Sequence, residues 1–313
     1  PEDERSPLPL YYLAYFASQQ KKQAKAMAYL KQAARVRRDY VFPSRPEATE
    51  VFRHAIRENP EDGQAHLHLG NLYAHLGRVD EAIGPWRKAA NLDSSLSVAL
   101  RNLGLHAWAV ENGLSKAERL YRKAIAARPK DQTLHRDLAD VLLAAGNRPE
   151  AIKVMESTPF ETLRRANITI MLAQAYLDEK MYGKTIDLLE STPYFVNWEG
   201  QTITWDIFHR AHVERGLQRY DDEKFAAALE DFEAALTYPD NIGVGRSNKP
   251  AEARAQYWRG KTLQALGRQA DARLAWKEGA ARHKGSSEQN EYRERCKKEV
   301  GATPRGRPDA QSF

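Results

Sequence analysis

A repeat of 34 residues constrains this chain more than any other feature. Glu156-Ser157-Thr158-Pro159 recurs verbatim as Glu190-Ser191-Thr192-Pro193, and the same shift carries Gly70 to Gly104, Ala139 to Ala173 and Ala117 to Ala151. Within a period, apolar residues fall in two runs at helical spacing. Leu69, Leu72, Tyr73 and Leu76 form one run, Ala82, Ile83, Trp86, Ala89 and Ala90 the other, with Leu76-Gly77-Arg78 between them. Residues three and four apart share a helix face, so each period predicts a helical hairpin. One hairpin cannot bury its apolar face alone, and neighbouring units must stack to form a core. The expected fold is therefore all-α, with no strand longer than two residues.

Composition removes several alternatives. The 313 residues carry 48 Lys+Arg against 42 Asp+Glu, a net charge of +6, too small an excess over this length to make nucleic acid the expected partner. The basic stretches Lys21 to Arg38 and Arg293 to Arg307 read as the solvated face of an amphipathic helix and as a tail. No run of eighteen apolar residues occurs, so no membrane-spanning helix is expected. Pro1-Glu2-Asp3-Glu4-Arg5 lacks the apolar core of a signal peptide, a cytoplasmic location is the expectation, and a start without Met suggests a piece of something longer. Cys296 stands alone, excluding a disulfide framework or cysteine metal site. His66, His68 and His75 on one helix, and His209 and His212 on another, have no carboxylate at matched spacing; they read as surface or groove histidines. No catalytic residue, cofactor or metal is expected.

The spacing of small and large residues resembles the tetratricopeptide repeat (TPR). Leu69, Gly70, Tyr73, Ala82, Trp86 and Ala89 match its pattern closely, and Leu103, Gly104, Ala107, Ala117, Tyr121 and Ala124 do so after one inserted residue in Asn112-Gly113-Leu114. Gly or Ala at the fixed small positions lets the paired helices approach closely. The resemblance implies a right-handed solenoid of antiparallel helix pairs. It divides the chain into an N-terminal hairpin plus an orphan second helix (1–60), four repeats (61–193), two repeats with inserted loops (194–283), and a terminal helix with a basic, disordered tail (284–313).

Three stretches break the period. Ala173 to Gly216 spans 43 residues and Gly216 to Gly260 spans 44, so extra segments around 194–201 and 240–250 are expected in the joints; a third, 39–45, precedes the orphan helix. Their wording, Asp39-Tyr-Val-Phe-Pro, Trp198-Glu-Gly and Tyr238-Pro-Asp-Asn-Ile-Gly-Val-Gly-Arg246, is similar to the helical C-terminal part of large microbial TPR proteins. In those, a β-rich region carrying a DUF5107 domain precedes the helices, which implies a carbohydrate context. Loops inserted on one edge of a repeat array often carry binding, making Tyr40, Phe42, Trp198, Glu199 and Arg246 candidate partner-binding residues. Trp198 and Glu199 offer an aromatic platform and a carboxylate, yet glycoside hydrolysis needs two carboxyl groups at a defined separation, and Asp206 could be the second only if loop and helix face each other.

The resemblance also places Tyr11, Tyr15, Asn71, Arg101 and Trp108 along the groove formed by the first helices. TPR proteins that grip a terminal carboxylate set asparagines and cations there. Asn71 and Asn102 match, while Leu67, Thr133 and Asp137 stand where cations would be. The expected function is a scaffold that docks another protein, or another domain of the same chain, along the groove and the looped edge. The alternative is a helical accessory region of a carbohydrate-active enzyme whose catalytic residues lie mainly outside this segment.

Overall fold

The computed structural model describes residues 6–36, 41–160, 165–195, 202–243 and 249–301. Helices account for all regular structure among them, and no strand occurs. The chain divides into two compact units, Pro1–Arg164 and Arg165–Phe313. That boundary falls inside the span whose sequence reads as four consecutive repeats.

Unit 1 contains α1 (Leu8–Gln19), α2 (Gln23–Ala33), α3 (Ala48–Glu58), α4 (Gly63–His75), α5 (Val79–Leu92), α6 (Ser97–Ala109), α7 (Leu114–Ala127), α8 (Gln132–Ala144) and α9 (Arg148–Glu156). Unit 2 contains α10 (Ala166–Asp178), α11 (Tyr182–Ser191), α12 (Ile203–Asp221), α13 (Phe225–Ala234), a 3-10 turn at Asp240–Ile242, α14 (Ala253–Ala265), α15 (Gln269–Ala281) and α16 (Ser287–Gly301). The expected hairpins are α1–α2, α4–α5, α6–α7, α8–α9, α10–α11, α12–α13 and α14–α15, each packed on its neighbour within its unit. The orphan helix is α3, which packs on both α1 and α4.

Every hairpin turn uses the same device. One residue takes positive φ: Lys21, Gly77, Asn112, Gly146, Lys180, Glu223 or Gly267. The next backbone N–H then reaches back to a carbonyl five residues earlier, as in Arg78 to Tyr73 and Lys224 to Arg219, both 2.8 Å. This left-handed cap satisfies carbonyls at the end of the first helix and reverses the chain. The α6–α7 turn is the exception: Gly113 reaches Ala107, six residues back, which accommodates the inserted residue. Side-chain caps start several helices, with Asp62 accepting from Ala65 N at 3.0 Å before α4 and Asp131 from Thr133 N at 3.0 Å before α8.

The small residues do the packing expected of them. A Cβ on Gly70 would lie 2.5 Å from Trp86, and one on Gly260 only 2.2 Å from Trp276 Nε1. Only glycine lets α4 meet α5, and α14 meet α15, with an indole between them. Unit 2 ends on α16, whose Cys296 and Gln289 are buried against α14 and α15. Burial pushes the Cys296 thiol up to about 12, leaving it inert as a nucleophile.

The extra residues of unit 2 are spent in two ways. Repeat spacing places the start of the helix containing Gly216 at His209, but α12 begins at Ile203, six residues earlier. The described ends of the two inserted segments are also stitched together. Phe195 N donates to Asn241 O at 2.9 Å, while the Asn241 amide donates to the carbonyls of Leu189 and Thr192, each at 2.9 Å. Phe195 and Ile242 are buried in the core that holds Trp205 and Phe208.

Candidate docking surface

The candidate surface in unit 1 is the face built by α4, α6 and α8. Asn71, Arg101 and Trp108 lie there, all half-buried. Asn71 Oδ1 accepts from Trp86 Nε1 and from Asn102 Nδ2, each at 2.9 Å, so the asparagine pair spans α4, α5 and α6. One helix on, Arg101 Nε donates to Asp137 Oδ2 at 2.6 Å, and Arg136 donates to Asp137 Oδ1. Asp137 is buried. The position where a carboxylate-gripping TPR carries a cation therefore holds an anion that neutralises the nearby arginines, and a peptide carboxylate would meet like charge. Beside this polar row, Leu105 is 46% exposed next to the half-buried Trp108.

Tyr11 is not a groove residue. It is fully buried between α1, α3 and α4, its ring edge-on to Phe52 at 5.5 Å, its hydroxyl donating to Asp62 Oδ2 at 2.9 Å. Burial and the neighbouring Asp62 carboxylate raise the Tyr11 phenol well above its ordinary range, so it stays a donor. The orphan helix causes this, because α3 supplies the Phe52 that closes over a ring otherwise facing solvent. Leu67 and Gln64 are buried likewise. Tyr15 remains half-buried, edge-on to His54 of α3 at 5.7 Å. Phe42 is 70% exposed and, with Tyr12, Leu13 and Phe16, lines a depression of about 570 Å³ against α1. Tyr40, Trp198, Glu199 and Arg246 lie outside the described residues.

The histidines require a second correction. His75 is exposed and His66 half-buried, but His68, His209 and His212 are core residues. His68 is buried with neither ring nitrogen partnered among the described residues, and desolvation lowers it to about 4. His209 Nδ1 meets Ala235 O at 2.7 Å. His212 Nδ1 lies 3.0 Å from Asp231 Oδ1, and Arg215 and Arg219 also grip that carboxylate. Burial opposes ionisation of Asp231, but the His212 and Arg215 hydrogen bonds and the two arginine charges outweigh it and hold the carboxyl below its usual range.

In unit 2, α12, α14 and α16 enclose a cleft of about 320 Å³ lined by Trp205, Asp206, His209, Arg254 and Glu288. Trp205 stacks on Tyr238 at 4.9 Å and on His209 at 4.7 Å, and donates to Thr237 O. Asp206 accepts from Thr202 Oγ1 at 2.7 Å at the start of α12. Arg254 bridges Glu214 at 2.7 Å and Glu288 at 3.2 Å. Sequence reasoning missed this cleft because the early start of α12, which brings Trp205 into the core, falls outside the repeat register. Among the described residues no group of three or more His, Cys, Asp or Glu side chains is placed to hold a metal, and no helix is long and apolar enough to cross a membrane.

Comparison with known proteins agrees with this architecture. Two family models described as tetratricopeptide repeat match, one over residues 114–168, the other over 45–95 and 213–288, together more than half of the chain. The chain is a tetratricopeptide-repeat protein. A solved structure of the C-terminal part of a TPR repeat-containing protein from Cytophaga hutchinsonii covers 90% of this chain and 98% of its own, with a TM-score of 0.53 at 16% identity. The structure of Naa15/Naa10 bound to HypK-THB has a TM-score of 0.50 at 13% identity, with 94% of this TPR chain covered but only 39% of that one. Hsp70-Hsp90 organizing protein 1 from Glycine max is 29% identical over 89 residues, a stretch that spans 15% of its length. The structural likenesses show the fold alone.

Proposed function

We propose that this TPR chain is a protein-interaction module that docks another protein, or another domain of the same polypeptide, along the α4–α6–α8 face and the edge carrying its inserted loops. The observation that carries this reading is the juxtaposition of Leu105 and Trp108 with a row of fixed polar groups, Asn71, Asn102, Arg101 and Asp137. Apolar anchors beside pre-organised hydrogen-bonding groups suit an extended segment of a partner, because little further ordering is needed on docking. Similar proteins point the same way: one is an Hsp70-Hsp90 organizing protein, and one solved structure is Naa15/Naa10 bound to HypK-THB. Tyr40, Phe42, Trp198, Glu199 and Arg246 belong to the looped edge in this reading, and a cytoplasmic location accompanies it. The test is site-specific cross-linking in cells, with a photoreactive phenylalanine analogue at Leu105 and, as control, at Leu274 on α15. A single protein captured from Leu105 and absent from Leu274 supports docking on this face; equal capture at both sites refutes it.

A second reading rests on the similarity of the inserted segments to DUF5107-type TPR proteins. In it the chain is the helical accessory region of a carbohydrate-active, glycoside hydrolase-like enzyme, and the Trp198 loop reaches a catalytic site outside this segment. Both readings expect no turnover of aryl glycosides by these residues alone. Hydrolysis abolished by Glu199→Gln would remove both, because it would place the catalysis here. They separate on whether the natural reading frame encodes a β-rich domain ahead of Pro1.

A further inference from the structure

We infer that unit 1 carries a second binding site, on the side of α6 turned away from the docking face, where a cavity between α5, α6 and α7 takes an acidic peptide through one apolar anchor residue. The cavity measures about 560 Å³, within the range of sites that enclose a small ligand or anchoring side chain. Ile83, Leu100, Leu103 and Leu120 supply its apolar lining. On α6 it uses Leu100, Leu103 and His106, whereas the docking face uses Arg101, Leu105 and Trp108. At 3.6 residues per turn the two sets lie roughly half a turn apart, so both surfaces can be occupied at once.

The inserted residue shapes this cavity. The longer α6–α7 turn, with Asn112 at φ 53°, carries Glu111 back beneath the end of α6, where it lies 3.4 Å from His106 Nδ1 and 2.6 Å from Lys116 Nζ. Glu111 and Glu118 are thereby engaged, the second by Arg122. The cations Arg87 and Lys123 on the cavity, and Arg119 one turn before Lys123, are exposed and lie within salt-bridge distance of no carboxylate among the described residues, although the Arg87 charge also acts on Glu111. Unpaired cations around an apolar floor complement a peptide in which acidic residues flank an aliphatic or aromatic one.

A peptide fits better than a small amphiphilic acid because the surface is long. A second depression of about 510 Å³ shares Lys123 and Ala126 with the first and adds Arg119 and Arg122. Together they follow the outer side of α7, whose 14 residues rise about 21 Å, the reach of roughly six extended residues.

The test measures fluorescence anisotropy of the labelled peptide Glu-Asp-Leu-Phe-Glu-Asp amide against the full chain. Expected is saturable binding that weakens with added salt, falls at least about tenfold in the double variant Arg87→Glu/Lys123→Glu, and is unchanged in Trp108→Ala. Both reversed residues are exposed, and the unfolding midpoint, measured alongside, separates lost contact with the peptide from any loss of fold through the reversed charge near Glu111. The assignment is overturned if the neutral peptide Gln-Asn-Leu-Phe-Gln-Asn amide binds equally, if the charge-reversed protein binds like the parent, or if dodecanoate binds the cavity more tightly than the peptide. Loss of binding in Trp108→Ala alone would overturn it too, by placing the peptide on the docking face.

Discussion

His68 lies edge-on to Tyr11, ring centroids 6.0 Å apart and planes 77° apart, inside the core where α1, α3 and α4 meet. Its imidazole has been lowered from 6.5 to about 4 by burial alone. Because the unfolded chain takes up this proton near 6.5 and the folded chain resists until about 4, the unfolded state binds more protons in that window. Stability therefore falls as pH drops from about 6.5 to about 4 and is unaffected by this group above it. The full loss is about 3 kcal/mol. His68→Leu should flatten that part of the profile and leave the neutral-pH stability equal or higher, since two buried nitrogens without partners are removed. Urea midpoints at pH 7.5 and 4.8 decide; an unchanged acid slope in the variant would show that His68 is solvated.

The helix contacts at glycine rank two further substitutions. Gly260→Ala places a methyl 2.2 Å from the Trp276 indole nitrogen and must displace a large buried ring, whereas at Gly104 the nearest Tyr121 ring atoms are 3.2 Å away. Gly260→Ala should cost about 2 to 3 kcal/mol and Gly104→Ala less than about 1.5 kcal/mol, through overpacking. Equal unfolding midpoints for the two would mean that the ring moves freely.

Two hairpin turns of unit 2 hold a non-glycine residue in the left-handed region, Lys180 at φ 59° and Glu223 at φ 62°. Both side chains are exposed, and the equivalent turns at 77, 146 and 267 use glycine. Lys180→Gly and Glu223→Gly should each relieve about 1 kcal/mol of backbone strain, more than the entropy glycine adds to the unfolded chain. Calorimetry should show a raised Tm for the double variant; a lowered one would mean that unfolded-state entropy dominates.

The repeat itself was legible because the pattern of Gly70, Ala82, Trp86 and Ala89 is dictated by local packing that any stacked hairpin must satisfy. The hairpin turns were legible only where glycine occupied them; Lys180 and Glu223 are ordinary surface residues by type, and their geometry is imposed by the helices they join. Tyr11 was misplaced because groove exposure depends on a neighbour outside the repeat period, α3, whose Phe52 covers it. Trp205 was missed for the related reason that α12 starts six residues ahead of its register. The repeat register places Asn71 on α4 and Arg101 on α6, but their partners Trp86, Asn102 and Asp137 depend on side-chain directions across three helices. Periodicity alone does not encode those directions.

The Arg101–Asp137 pair leads to the last prediction. Asp137 is buried and holds both Arg101 and Arg136, so its charge sets the electrostatic sign of the α4–α6–α8 face. Asp137→Asn keeps the shape and an acceptor but removes the anion, leaving two guanidinium groups half-compensated beside Asn71 and Asn102. The fold should survive at a cost of about 1 to 3 kcal/mol, the range for weakening charge-assisted hydrogen bonds. The face should in turn acquire affinity for a peptide ending in a free carboxylate, because the arginines can now pair with it. Titration with the peptide Ala-Ala-Val-Asn as free acid and as amide isolates that charge. Binding of the acid by the variant, with none by the parent and none for the amide, is the expected outcome. Equal affinity of parent and variant for the free acid would show that Asp137 does not govern what this surface accepts.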